Sequence, residues 1–380
     1  MIRINCTVLL LVSRAIRLSC CLAILYIAGC TTPPAKETDL PGHIFYPALP
    51  DAPRIQYLAT FSSSKDVKKP GTEFANFVLG KDKDKDAIYI NKPYGVQIYD
   101  GKIYAVDIRS GGYAVMDLVN HKFHAITGQG GGRMAKPINI TFDKDGSKYI
   151  TDTQRGQVLV FDKDEHFVRA LGTEKQFKPS DTAISGDKLF VADLKDHEIE
   201  VLNKRSGILL YKIGRTGSKE GELFHPTNIK IGPDNHLYIS DTTNFQVQKF
   251  TLDGQYIRSY GSIGTSIGKF ARPKGIALDQ KGRLYIVDAA FENVQIMNPD
   301  GKLLIYFGGP GSNPDNINLP VDIEIDYDNV KHFQRYAHPD FKLEYIILVS
   351  SQFGINKINV FGFGRMKDME YADDTTTGKR

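Results

Sequence analysis

Tryptophan is absent from all 380 residues, and the four cysteines (Cys6, Cys20, Cys21, Cys30) all fall within the first thirty. Beyond residue 30 there is therefore no disulfide, no thiolate zinc site and no CxxCH haem attachment. Long apolar runs are missing too. The one candidate, CLAILYIAGC (21–30), is about half the ~20 residues that a membrane-spanning helix needs. Charge of one sign is also lacking, with 48 basic against 44 acidic side chains. That balance argues against nucleic acid or an anionic membrane surface as the main partner. Linear catalytic signatures are absent as well: no nucleophile elbow, no acid/base pair and no cofactor motif. GTSIGKF (264–270) lacks a spacer and the Ser/Thr of a phosphate-binding loop, and it precedes a strand. KDKDKD (81–86) begins like a calcium loop, but Ala87 and Pro93 replace the turn glycine and the bidentate glutamate.

What is present is an ordinary globular composition, 41% hydrophobic and 24% charged, behind an atypical start. Arg3, Arg14 and Arg17 precede the short apolar run, the order of a secretory signal. Ile27-Ala28-Gly29-Cys30 resembles the lipobox of bacterial lipoproteins, in which the cysteine after the cut carries diacylglycerol. The resemblance implies a signal peptide over 1–29, a lipid on Cys30 that binds the membrane, and a Pro-rich tether over 30–43. Cleavage would leave 45 basic against 44 acidic residues. Thr31 is not the aspartate that favours inner-membrane retention in such lipoproteins, which points to the outer membrane.

The remainder is periodic. Prolines recur at Pro93, Pro137, Pro179, Pro226, Pro273 and Pro320, spaced 44, 42, 47, 47 and 47 residues apart. An aspartate stands fourteen or fifteen residues after each of the first five, at Asp107, Asp152, Asp193, Asp241 and Asp288, while the sixth unit ends at Ser350. Within a unit, runs such as NIKIG, HLYIS, QVQKFT and QYIRSYG (228–261) are short and β-rich, separated by turn pairs. Four antiparallel strands cannot bury both faces alone, so the units must stack, and a radial ring of them is a β-propeller. The unit PKGIALDQKGRLYIVD (273–288) resembles the NHL repeat family, whose members are six-bladed propellers. Absence of tryptophan separates the chain from Trp-Asp repeats.

The expected fold is therefore all-β: a six-bladed propeller of four-stranded antiparallel blades over 44–364, followed by a polar tail over 365–380. The last unit supplies three strands only, VDIEID, YIILVS and KINVFGF. RIQYLATF (54–61) is the one unassigned β-rich run, and it is expected to complete blade six and close the ring.

Two candidate sites follow. The position two after each proline opens the innermost strand and reads Gly95, Asn139, Asp181, Asn228, Gly275 and Asp322. Asn139, Asp181, Asn228 and Asp322 can converge at the channel mouth, either as ligands for one calcium or zinc ion or as turn-capping groups around water. The repeated aspartates themselves suit local backbone capping. Zinc-dependent lyases that share the repeat use three histidines, but of the nine here only His225 adjoins an inner-strand proline. The second site is an insertion of 15 residues in the first hairpin of the last blade. Its His332, Phe333, Arg335, Tyr336 and His338 are residue types found at binding hot spots, and aromatics also pack a loop onto its own blade. Replacing 329–341 with a Gly-Ser turn is expected to spare the fold. Together these point to a lipid-anchored propeller that binds a protein or glycan partner in the bacterial envelope, against a metal-dependent hydrolase or lyase of lactonase type.

Overall fold

The structure, a computed structural model, describes residues 42–67 and 87–371. Cys30, most of the tether and KDKDKD lie outside the described residues. Six antiparallel sheets form the ring, and blades one to five are each built from one continuous stretch. Blade 3 is typical, with strands Pro179–Ser185, Lys188–Asp193, Glu198–Asn203 and Leu209–Ile213 from axis to rim. The first strands of successive blades, Pro93–Tyr99, Pro137–Phe142, Pro179–Ser185, Pro226–Ile231, Pro273–Leu278 and Pro320–Asp326, pack side by side around the axis, and the last meets the first.

Burial follows position in the blade. Leu284–Asp288 and Asn293–Met297, the second and third strands of blade 5, are buried throughout, whereas rim strand Leu303–Phe307 alternates. A blade is sandwiched between two neighbours, so its middle strands bury both faces, and only the rim shows the period-two pattern of a half-buried strand.

Blade 6 closes the ring as expected from the strand count. Ile55–Phe61 pairs antiparallel with Ile358–Met366, from Ile55 opposite Phe363 to Phe61 opposite Ile358. A short fifth strand, Phe45–Tyr46, adds outside it. One hydrophobic cluster spans this junction, joining Leu58 and Phe61 to Ile98, Ile103, Phe333 and Phe341. The final strand runs to Met366, and Tyr371 folds back to donate to the Pro53 carbonyl at 2.9 Å.

The insertion forms helix Val330–Phe333 and a 3-10 turn, Gln334–Tyr336, before strand Phe341–Ser351. Phe333 is 0% exposed and meets Phe61 edge-on at 6.3 Å. It is thus a core residue and not a contact residue, and the expectation that replacing 329–341 spares the fold is corrected: the segment carries Phe333, Ala337 and Phe341, which seal the closing junction.

Candidate functional site at the axial channel

The repeated aspartates do the capping their turns suggest. Asp193 Oδ1 accepts the amides of Lys178 (2.7 Å) and Lys195 (2.8 Å), and Asp288 Oδ1 those of Arg272 (3.1 Å) and Ala290 (2.9 Å). Each ties the end of a second strand to the residue that precedes an inner-strand proline.

A bulge follows the proline. In every blade the proline pairs with the residue ending the second strand, and the register then slips; in blade 3 Pro179 faces Asp193 while Asp181 faces Ala192. A bulge re-aims side chains, and here Asn139, Asp181, Asn228 and Asp322 are each 3% exposed or less, with Asn228 bonded directly to Asp322. A Cβ on Gly95 would lie 2.0 Å from Asn139 Oδ1, and one on Gly275 would lie 2.5 Å from Asp322 Cα. The two glycines are the space that their neighbours fill.

Asp181, Asn228 and Asp322 stitch blades to one another, while Asn139 caps its own strand. Asp322 Oδ2 accepts the Val96 amide of blade 1 at 3.0 Å, and its Oδ1 accepts Asn228 Nδ2 of blade 4 at 3.2 Å. Asp181 Oδ2 accepts the Ile229 amide at 2.9 Å and Oδ1 the Thr182 amide at 2.8 Å. Asn139 Oδ1 accepts the Ile140 amide at 2.8 Å. Two positions further along the inner strands, Lys230 Nζ donates to Glu324 Oε2 at 2.6 Å, and Gln97 Nε2 donates to the same oxygen at 2.7 Å. The Lys230 side chain stays 27% accessible and that of Glu324 19%.

Burial pushes Asp181 well above the carboxylate range, and the Asp322 charge adds to it. Asp322 itself is pushed up to about 7 by burial, with Lys230 and the Val96 amide pulling back. Burial alone would lower Lys230, but Glu324, Asp322 and Asp181 together raise it above the ordinary lysine value. Tyr94 is raised by burial and then by the charges of Asp322 and Asp181, and half-buried Lys274 is lowered to about 8 by burial and by Arg272.

This set does not fit a resident calcium or zinc ion. Calcium takes six to eight oxygens and structural zinc prefers nitrogen and sulfur. Both oxygens of Asp181 and of Asp322 already hold donors, both carboxyls lean toward neutral, and Lys230 supplies the positive charge. Of the oxygens of these four side chains, Asn228 Oδ1 is the one buried without a partner. His197 and His225 form a separate pair on the rim of the mouth, rings 4.5 Å apart, with the His225 amide donating to His197 Nδ1 at 3.3 Å. Among the described residues, the one trio of His, Asp or Glu side chains with ligand atoms within 4.8 Å of one another lies in blade 3, away from the axis.

A cavity of about 700 Å³ opens on the opposite, hairpin end, between blades 1, 2 and 6. Tyr99, Tyr104, Phe142, Lys148, Lys331 and His332 line it, with acidic groups around them. Tyr99 stacks on Phe142 at 4.7 Å and 6°. Lys148, 1% exposed, donates to the carbonyls of Asp162 (2.8 Å) and Lys163 (3.1 Å), and burial lowers its amine. Asn329 Oδ1 accepts the Gly101 amide at 2.9 Å, so the insertion clasps the first hairpin of blade 1 beside the cavity. Of the insertion residues, His332 reaches this cavity and Arg335 is exposed, whereas His338 turns inward, its amide donating to Gln56 Oε1 at 3.0 Å. Tyr336 is half-buried, its hydroxyl accepting from Arg335 Nη2 at 2.8 Å.

The residue pair Lys230–Glu324 was not singled out from sequence. Its signal is the position four after the proline, which reads Gln97, Thr141, Ala183, Lys230, Ala277 and Glu324, with opposite charges in blades two apart. The cavity has no such signal, because three blades contribute to it.

No protein-family model matches the chain, and no curated protein matches it in sequence. Solved structures match in fold. A streptogramin B lyase aligns over 73% of this chain and 95% of its own, at 15% identity and a TM-score of 0.52. A gluconolactonase from Xanthomonas campestris aligns over 83% and 91%, at 13% identity and 0.54. An auxiliary nutrient binding protein from Bacteroides ovatus aligns over 73% and 71%, at 13% identity and 0.54. At these identities the likeness is one of fold: the chain is a six-bladed β-propeller, and both binding proteins and enzymes share that architecture.

Proposed function

We propose that this propeller is an NHL-type binding module of the bacterial envelope, anchored in the outer membrane by a lipid on Cys30, and that it holds a glycan at the hairpin-end cavity. The observation that carries the reading is the cavity itself, about 700 Å³ and lined by aromatic rings beside both lysines and aspartates. Mixed polar groups around a few rings suit a neutral, hydroxyl-rich ligand, and a site of this size falls in the ~300–1,000 Å³ range of small-ligand pockets. The nutrient-binding neighbour is compatible with this reading, and the lipobox supports the anchor. The competing reading, a metal-dependent hydrolase or lyase at the channel mouth, is supported less, because the channel carboxylates are already bonded and Lys230 occupies their midst.

The test is a glycan array probed with the detergent-solubilised full chain, followed by calorimetry on hits. Binding that weakens at least tenfold in Tyr99→Ala and His332→Ala supports the proposal. An empty array, or binding indifferent to both substitutions, removes it.

A further inference from the structure

Blade 3 departs from its sisters at one corner. The aspartate that ends the second strand pairs across to the first residue of the third strand, and the residue two positions earlier pairs across to the third. In blade 4 these cross-strand positions hold Gln246 and Gln248, in blade 5 Asn293 and Gln295, in blade 2 Gln157 and Leu159, and in blade 1 Gly112 and Ala114. In blade 3 they hold Glu198 and Glu200. The sister amides have a donor to offer: Gln248 Nε2 bonds Asp241 Oδ2 at 2.9 Å, and Gln246 Nε2 reaches the same oxygen at 3.5 Å. Glutamates have none to offer, and the consequence is visible. Asp193, 0% exposed, spends Oδ1 on backbone amides, and its Oδ2 is buried with no partner at all.

One ligand oxygen from each of Asp193, Glu198 and Glu200 lies within 4.8 Å of the other two. The positive charge at hand is Lys212, whose Nζ bonds Glu198 Oε1 and stands 3.6 Å from Glu200 Oε1. Gln176 Nε2 adds a long contact to Glu200 Oε2 at 3.4 Å. Three carboxylates against one ammonium leave two negative charges uncompensated, with Asp193 and the Glu200 side chain 5% exposed or less. Burying such charge without a counter-ion is costly, and burial accordingly raises Glu200.

We propose that Asp193, Glu198 and Glu200 bind one hard divalent cation, calcium or magnesium, which displaces the Lys212 ammonium and gives Asp193 Oδ2 its missing partner. An all-oxygen, carboxylate-rich set selects hard cations, water completing the shell. The site is independent of the channel and of the glycan cavity; it would tie together the second and third strands of blade 3 at the end of the ring where the channel mouth opens.

The experiment is calcium and, separately, magnesium titration of the chelator-treated, detergent-solubilised full chain, by calorimetry and by thermal unfolding. One equivalent bound with a rise in Tm is expected. Glu198→Gln with Glu200→Gln should abolish both signals and still fold, since blade 4 carries those amides natively at Gln246 and Gln248. Asp181→Asn, in the channel, should bind as the parent does. Lys212→Met should bind about fivefold more tightly, the scale of one competing surface ion pair. No binding of either metal, or binding that survives the double glutamate substitution, overturns the site. So does binding lost in Asp181→Asn alone, which would put the ion in the channel.

Discussion

Lys230 of blade 4 donates to Glu324 of blade 6 at 2.6 Å, joining two inner strands that are not neighbours in the ring. With Asn228 bonded to Asp322 across the same gap at 3.2 Å, the pair makes the channel a cross-braced polar shaft. Removing one partner leaves the other's charge uncompensated where the surrounding groups are Asp181 and Asp322. Lys230→Met is expected to cost about 3–5 kcal/mol, read by denaturant unfolding. Adding Glu324→Gln should recover a substantial part of it, and a double-mutant cycle with no coupling would contradict the brace.

Asp322 gives a pH dependence with a definite sign. Its folded pKa, about 7, lies above the ~3.9 of an unfolded aspartate. The folded state therefore binds the proton more tightly. The stability this adds is fully present below about pH 4 and is lost as pH rises toward 7, at up to about 1.4 kcal/mol per unit. Comparing Asp322→Asn with the parent between pH 4 and 8 isolates the effect. The substitution should become relatively more favourable as pH rises, and parallel curves would show that the carboxyl is not held protonated.

Lys274 should react as an unusually neutral amine. Held down to about 8, it is expected to acylate with a midpoint near that pH, against ~10.4 for ordinary lysines. Peptide mapping after brief labelling from pH 6 to 10 reads this directly. A Lys274 profile that tracks the exposed lysines would show that burial and Arg272 do not depress it.

The closing blade depends on two segments far from each other in the chain. Deleting 44–62 removes the strand that pairs with Ile358–Met366, and cooperative unfolding should disappear. Phe333→Ala hollows the same junction and is expected to cost about 3–5 kcal/mol. A deletion variant that melts as sharply as the parent would mean that three strands suffice for blade six.

Much of this architecture is legible in the chain order because it is local. The prolines, the strand-ending aspartates and the turn pairs recur at blade spacing, and each blade from one to five pairs only with its own strands. Closure by RIQYLATF was legible by counting, since one strand was missing and one was spare. The meeting of Asn228 and Asp322, with the Asp181 carboxyl feeling the Asp322 charge, was legible as a shared offset from the prolines.

Tertiary structure decided what those residues do. A ring places side chains from blades 90 or more residues apart within bonding distance, as with Asn228 and Asp322, and no linear spacing encodes which donor meets which acceptor. So it was the fold that turned Asp181, Asn228 and Asp322 into inter-blade hydrogen bonds beside Lys230 and took Phe333 into the core. The same holds for blade 3. Asp193 reads as one more turn aspartate in sequence, and only cross-strand register shows that Glu198 and Glu200 stand where sister blades keep neutral side chains. Periodicity specifies the scaffold because each repeat solves the same packing problem. Function resides where the repeats differ, and those differences acquire meaning only when the ring brings them face to face.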